Sequence, residues 1–524
     1  MMRSGRPWPT SKYRLSKRQF LGQLGVLASL AFPSASTRAR ANENPTGVDA
    51  ASPRWDVIVV GAGTAGMPLA IFASRRGARV LLIDAAPRTG GTLPLSTGQM
   101  SAAGTKLQKS LGIEDTPQEH YADVMRISRG TAQPEILRLA VDNAGAAADW
   151  LIDSGFKPMA GHPVLAGGHD PYSKRRYFWG ERGGRSVLEI LERELQKEID
   201  RGNVTLLLEN EVIALIQTAG GGAVSGVIAV AADKTPARHL GGNIVLTCGG
   251  YISNPEIFER YEGVRDYGST VSPFSRGAGI TMGIAAGGYV RGQECHQPLF
   301  NAVLTSAAVP SPLLLHLLTD PTFRPAWEIY VNVRGERFVR EDTPSFDDKE
   351  KSLARQPEER CWVVFDEAIL QASPSMSREW SKDELIEAFG VYPLFYTAET
   401  LDALAATTGI DAKGLGRTVA QFNEGQRSGK DAFARVHMPL PIARPPFYAI
   451  RMQGYYLLDT AGLAVDTRLR VMRRSGTPIP NLYAAGELLG MAALQGQSYC
   501  GGMSVTPAIA FGRLLGESIL PIGS

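Results

Sequence analysis

The sequence predicts an α/β protein built on a parallel sheet, and three observations carry that prediction. Val57 to Val60 is a continuous apolar run of strand length bounded by glycines, as a strand buried on both faces requires. Gly66 to Arg76 follows with helical spacing and stops at Gly77. Arg79-Val-Leu-Leu-Ile-Asp84 then supplies a second buried strand, so the chain opens as strand, helix, strand.

Further along, amphipathic helices are expected over 134–154 and 186–201, the second ending at Gly202. Strands follow at 204–208, 211–216, 223–230 and 243–247, and the Gly220-Gly-Gly222 turn among them predicts a small antiparallel layer beside the parallel sheet. From about 280 to 450 proline becomes frequent, charges cluster at 336–359, and helices at 381–389 and 398–407 alternate with short strands. A chain of 524 residues exceeds one compact core. Residues 54–279 and 451–524 are therefore read as one domain, interrupted by a substrate or capping domain at 280–450.

Residues 1–41 differ in kind. They hold eight Arg or Lys and no acid, a mild apolar stretch from Phe20 to Ala31, and a small-residue cleavage site at Ala39-Arg-Ala41. Ser16-Lys-Arg-Gln-Phe-Leu21 resembles the twin-arginine signal with Lys17 in the first arginine's place. An exported, periplasmic protein is expected, with 42–53 as a flexible leader. Without that segment 47 basic side chains face 52 acidic ones, and the formal charge of +3 becomes −5. Nucleic acid is thereby an unsuitable partner. No apolar run reaches the length of a membrane span. Cys248, Cys295, Cys361 and Cys500 form no C-x-x-C pair, the seven histidines show no H-x-x-x-H arrangement, and neither a metal nor a haem site is expected.

Gly61-Ala62-Gly63-Thr64-Ala65-Gly66 sits between strand and helix, where backbone N–H groups meet a pyrophosphate at the positive end of the helix dipole. Asp84, 18 residues after Gly66 and followed by Ala85, is placed to accept both hydroxyl hydrogens of an adenosine ribose. That pattern does not separate FAD from NAD. The glycines of Thr89-Gly90-Gly91-Thr92 and Ser96-Thr-Gly98-Gln99-Met100 do, because they let the backbone run alongside a flavin ring.

These segments, with Asn243 to Gly250, Gly335-Glu-Arg-Phe338 and Pro480 to Glu487, resemble the FAD-dependent fumarate reductase and 3-ketosteroid dehydrogenase superfamily over residues 54 to 520. The resemblance implies a split Rossmann-like FAD domain, a capping domain over the flavin, and a small-molecule substrate. It implies that Gly249 and Gly250 line the cofactor, that Glu487 after Gly486 bonds the ribityl chain, and that Val212 lies by the adenine. Ser504 and Val505 then open a helix facing the flavin's N1–O2 edge, which stabilises the reduced anion.

Departures from the family bear on the substrate. Fumarate reductases place an arginine where this chain has Tyr499, a histidine pair where it has Leu457-Leu458, and a proton-donating arginine where it has Ser345. Arg324 matches the one family arginine that remains. Tyr499 resembles the tyrosine that binds the ketone oxygen in ketosteroid dehydrogenases, which points to that branch. The base of that branch is a tyrosine at or near Ser345 and is missing here. Tyr172 or Tyr177 is a candidate substitute, and Tyr455-Tyr456 another. The expected activity is desaturation, or enone reduction, next to the carbonyl of a neutral, cyclic substrate, with a separate cytochrome or quinone pool exchanging electrons. Two alternatives stand beside it: reduction of an unsaturated acid held by Arg324, Arg175 or Arg176, and a flavin electron carrier without turnover.

Overall fold

The computed structural model describes residues 54–165, 169–377 and 379–520. The expected export signal and leader at 1–53 lie outside the described residues.

β1 (Trp55–Val60), apolar and buried from Val57 onward, pairs in parallel with β2 (Val80–Ile83) on one side and Pro236–Leu246 on the other. Val204–Leu207 extends the parallel run beyond β2. Its far neighbour comes from the other end of the chain: Pro478–Ala484 lies parallel to Pro236–Leu246, with Leu482 opposite Ile244. Arg470–Met472 closes that edge antiparallel. Asn210–Gln217, Val224–Ala231 and Pro236–Leu246 form the antiparallel layer, and the last strand begins well before the expected residue 243 because its first half pairs into that layer. The helix Gly66–Arg75 meets the C-terminal helix Val505–Ser518 at Gly512, where a side-chain carbon would fall 2.1 Å from the Ala65 carbonyl oxygen. Only glycine permits that approach.

The expected helices appear as Pro134–Asp153, Gly184–Asp200, Lys382–Ala388 and Leu401–Thr408. A further helix, Ala412–Ser428, carries three glycines that hid it from the periodicity. A second sheet of four antiparallel strands, Ile329–Val331, Arg360–Asp366, Phe447–Gln453 and Phe395–Ala398, anchors its own apolar core around Trp362, Val364 and Ile450. Its third strand runs across residue 450. All four cysteines are free thiols.

Candidate active site

The glycine turn after β1 is held open by its surroundings. A side chain at Gly61, whose φ is +107°, would strike the Thr247 carbonyl at 2.5 Å. Asp84, at the end of β2, accepts from Ala62 N at 2.6 Å and from Ala86 N at 2.8 Å. Each carboxylate oxygen keeps a further lone pair for a ribose hydroxyl. Gly90 N donates to the Ala62 carbonyl at 2.9 Å, which brings Gly91 and Thr92 against the same turn.

The C-terminal half arrives on the opposite side. Gly486, at φ +80°, lies so close that a side chain there would meet the Ala65 Cβ at 3.1 Å. The two glycine-rich ends of the chain are therefore in contact. Glu487 is half-exposed yet deep in the fold, as a cavity wall would be, and its Oε1 has no partner. The backbone N–H groups of Asp459 and Gly250 lie on it, and burial pushes its carboxyl up to about 7. Asp459 is its neighbour, raised well above the usual carboxylate range by burial and by the Glu487 charge. A side chain at Gly250 would overlap Asp459 Oδ2, while Gly249 stays half-exposed beside Glu487. Ser504 makes no capping bond to the helix it precedes, so the first N–H groups from Val505 onward remain open to an anionic edge. Gly98 packs on Gly184, and Val212 is buried in the antiparallel layer.

The substrate-side candidates separate into two groups. Tyr499 donates to Gln99 Oε1 at 3.2 Å, 400 residues away in sequence. Tyr177, in the short strand Tyr177–Phe178 paired with Met100–Ser101, packs its ring on Gly501, and its buried hydroxyl, near that of Tyr499, has no hydrogen-bond partner among the described residues. Burial raises both phenols, so both stay protonated at neutral pH. These two residues and Gln99 form one constellation.

The other three candidates are engaged elsewhere in the protein. Tyr172 is buried with its hydroxyl on the Gly501 carbonyl at 2.5 Å, so it holds the turn after Tyr499. Tyr456 donates to Glu359 at 2.5 Å and packs against Phe258 and His296. Arg324 forms a bidentate pair with Glu328 at 2.9 and 2.8 Å, and its Nε binds the Pro374 carbonyl. Its fork is filled by the protein itself, which excludes a bidentate grip on a substrate carboxylate. Arg176 is likewise buried against Asp115 and Asp123, and Arg175 donates to the Pro163 carbonyl.

Some residues near Tyr499 carry no motif. His169 places its ring 4.1 Å from that of Tyr499 and 5.2 Å from that of Phe346. Ser345 caps the helix Phe346–Ala354 and donates to Asp170 at 3.2 Å. Lys351, on that helix, pairs with Asp347 and donates to Ser498, which ties the capping segment to the C-terminal turn. Further off, His296 is clamped between Glu262 and Glu359, 2.7 Å to each.

The family model described as FAD binding domain matches residues 56–505. The chain belongs to this FAD-binding family. A fumarate reductase (cytochrome) of Shewanella frigidimarina (strain NCIMB 400) is 29% identical over 469 residues, covering 88% of this chain and 73% of that protein. Among solved structures, the open conformation of a flavocytochrome c3 fumarate reductase superposes with a TM-score of 0.67 at 26% identity, covering 88% of this chain and 78% of the other. A 3-ketosteroid Δ1-dehydrogenase from Sterolibacterium denitrificans gives a TM-score of 0.70 at 19% identity, covering 89% and 99%, and shows the shared fold. The protein is thus an FAD-dependent oxidoreductase of the superfamily that its motifs resemble. The glycine cradle, the unpartnered Glu487 oxygen and the uncapped helix start all fit that cofactor.

Proposed function

We propose that the protein moves hydrogen across a carbon–carbon bond next to the carbonyl of a neutral, cyclic substrate of the 3-ketosteroid type. The supporting observation is the state of the arginines. A carboxylate substrate needs a buried cation with open donors, yet Arg324 is paired with Glu328 and Arg176 with Asp115 and Asp123. Tyr499 stands where fumarate reductases place an arginine, and Asp170 and Asp347 lie close to the adjoining Cys500. A dicarboxylate there would face repulsion without a compensating partner.

Bound FAD supplies the hydride acceptor or donor. Gly61 to Gly66 and Asp84 would hold its adenosine and pyrophosphate, Glu487 its ribityl chain, and the start of Val505–Ser518 its ring edge. Tyr499 turns the O–H that it donates to Gln99 Oε1 toward the substrate carbonyl oxygen. Charge that develops on that oxygen is stabilised by this phenol, with Tyr177 behind it, and the α-hydrogen becomes acidic. Phe346, buried beside the His169 ring, supplies an apolar wall that keeps water from the reacting carbons.

Purified protein assayed with a dye acceptor and 3-ketosteroids, then with reduced dye and fumarate, separates the readings. Turnover of fumarate with none of any ketone would overturn this one.

The proposal extends to location and partner. Residues 1–41 act as an export signal, and a periplasmic cytochrome or quinone pool exchanges electrons with the enzyme. Among the described residues no helix is long and apolar enough to cross a membrane. Replacing Lys17 and Arg18 by Gln should trap the protein in the cytoplasm, and undiminished export would count against the idea.

A further inference from the structure

The proposed reaction needs a group that takes a proton from carbon, and the family's place for it holds Ser345. That hydroxyl is a poor base, and it is engaged as a helix cap and as a donor to Asp170. Tyr172 and Tyr177, the sequence's substitutes, stay protonated because burial raises both. Tyr172 also has its hydroxyl on the Gly501 carbonyl.

We infer that His169 is the proton-transfer base, acting on the carbon next to the carbonyl that Tyr499 binds. The inference rests on the carbonyl-binding role proposed for Tyr499 above. Its ground is position. The imidazole lies 4.1 Å from the Tyr499 ring at an interplanar angle of 38°, and 5.2 Å from Phe346, the residue that follows Ser345. It therefore bridges the C-terminal turn and the start of the capping helix, where the missing base belongs. No described residue hydrogen-bonds either ring nitrogen, and the side chain remains half-exposed although it is deep in the fold. His296, by contrast, has both ring nitrogens taken by carboxylates.

Burial pushes the His169 imidazole down to about 4, so it stands as the free base at neutral pH. The charged groups near the adjoining Asp170 are Asp347, Asp348 and Glu350 on the capping helix, where Lys351 pairs with Asp347, and Arg129, which pairs with Asp347 and Asp348. In the step itself the α C–H bond breaks and a ring nitrogen receives the proton. The electron pair moves into the enolate, whose oxygen accepts from Tyr499.

The test follows that half-reaction by solvent exchange. The FAD-loaded enzyme is incubated with a saturated 3-ketosteroid in deuterated water without an electron acceptor, and deuterium at the α-carbon is read by mass spectrometry. His169→Gln and His169→Phe should each slow exchange by about 100-fold or more. Ketone binding, followed through the flavin's visible spectrum, should stay within about threefold of the wild type. Tyr499→Phe should weaken that binding. Exchange at the wild-type rate in both His169 variants would overturn the assignment of the base alone. Unaltered binding and turnover in Tyr499→Phe would instead overturn the carbonyl-binding reading beneath it.

Discussion

The Tyr172 hydroxyl donates to the Gly501 carbonyl at 2.5 Å, linking a loop to a turn 329 residues further along. Both groups are buried, and the bond fixes the segment that presents Tyr499. Tyr172→Phe leaves that carbonyl unpaired, at a cost of about 1–3 kcal/mol. The expected outcome is a lower melting temperature and a raised KM for a ketone substrate, with FAD content unchanged. Kinetics and absorbance on the same preparation check both parts.

Arg324 is expected to matter for stability and not for substrate choice. Arg324→Ala strands the buried Glu328 carboxylate, which costs about 3–5 kcal/mol. The double replacement Arg324→Met with Glu328→Leu should recover most of that loss, as chemical denaturation will measure. If Arg324→Ala instead folds normally and selectively loses turnover of an unsaturated acid, the protein acts on acids.

A pH dependence follows from His296. Its contacts with Glu262 and Glu359 outweigh burial and raise the imidazole to about 9. A group raised on folding stabilises fully below its unfolded value near 6.5 and loses that contribution as pH climbs through the folded one. Melting temperature should therefore fall between pH 6.5 and 9, and His296→Gln should flatten that slope. A slope of equal size in the variant would assign it to other groups.

The cofactor cradle predicts an apoprotein. Gly61→Ala places a methyl against the Thr247 carbonyl at a φ that L-residues avoid. The variant should purify with less than about a tenth of the wild type's flavin absorbance, a loss of at least about 1.4 kcal/mol of binding. Circular dichroism should show the sheet retained.

The strand, turn and helix of residues 55–75 and the acid at Asp84 were legible because each is specified by neighbours in sequence. The helix after Ser504 was legible only through the family resemblance. Tyr499 was legible as a substitution within a recognisable segment, although its partner Gln99 is 400 residues away. What the sequence concealed is which polar side chains neutralise one another. Glu328 lies four residues after Arg324, yet nothing local says that the pair will be buried. His169 belongs to no spacing pattern, and its place beside Tyr499 arises only when the capping helix and the C-terminal turn close on the same loop. The helix Ala412–Ser428 was missed because three glycines argued against it, and packing of Leu415, Val419 and Phe422 overrides that propensity.

The parallel strand Pro478–Ala484 also sets an order of events during biosynthesis. A ribosome delivers β1, β2 and Pro236–Leu246 first, but Leu482 takes its place beside Ile244 only after some 230 further residues have been made. Glu487 and the helix from Val505 emerge later still. Until then the nascent chain offers a dinucleotide a turn with no opposing wall, and an open sheet edge that invites mispairing. Flavin capture is therefore expected only after the Pro478–Ala484 strand has been made. A ribosome-bound chain truncated before residue 478 should bind none.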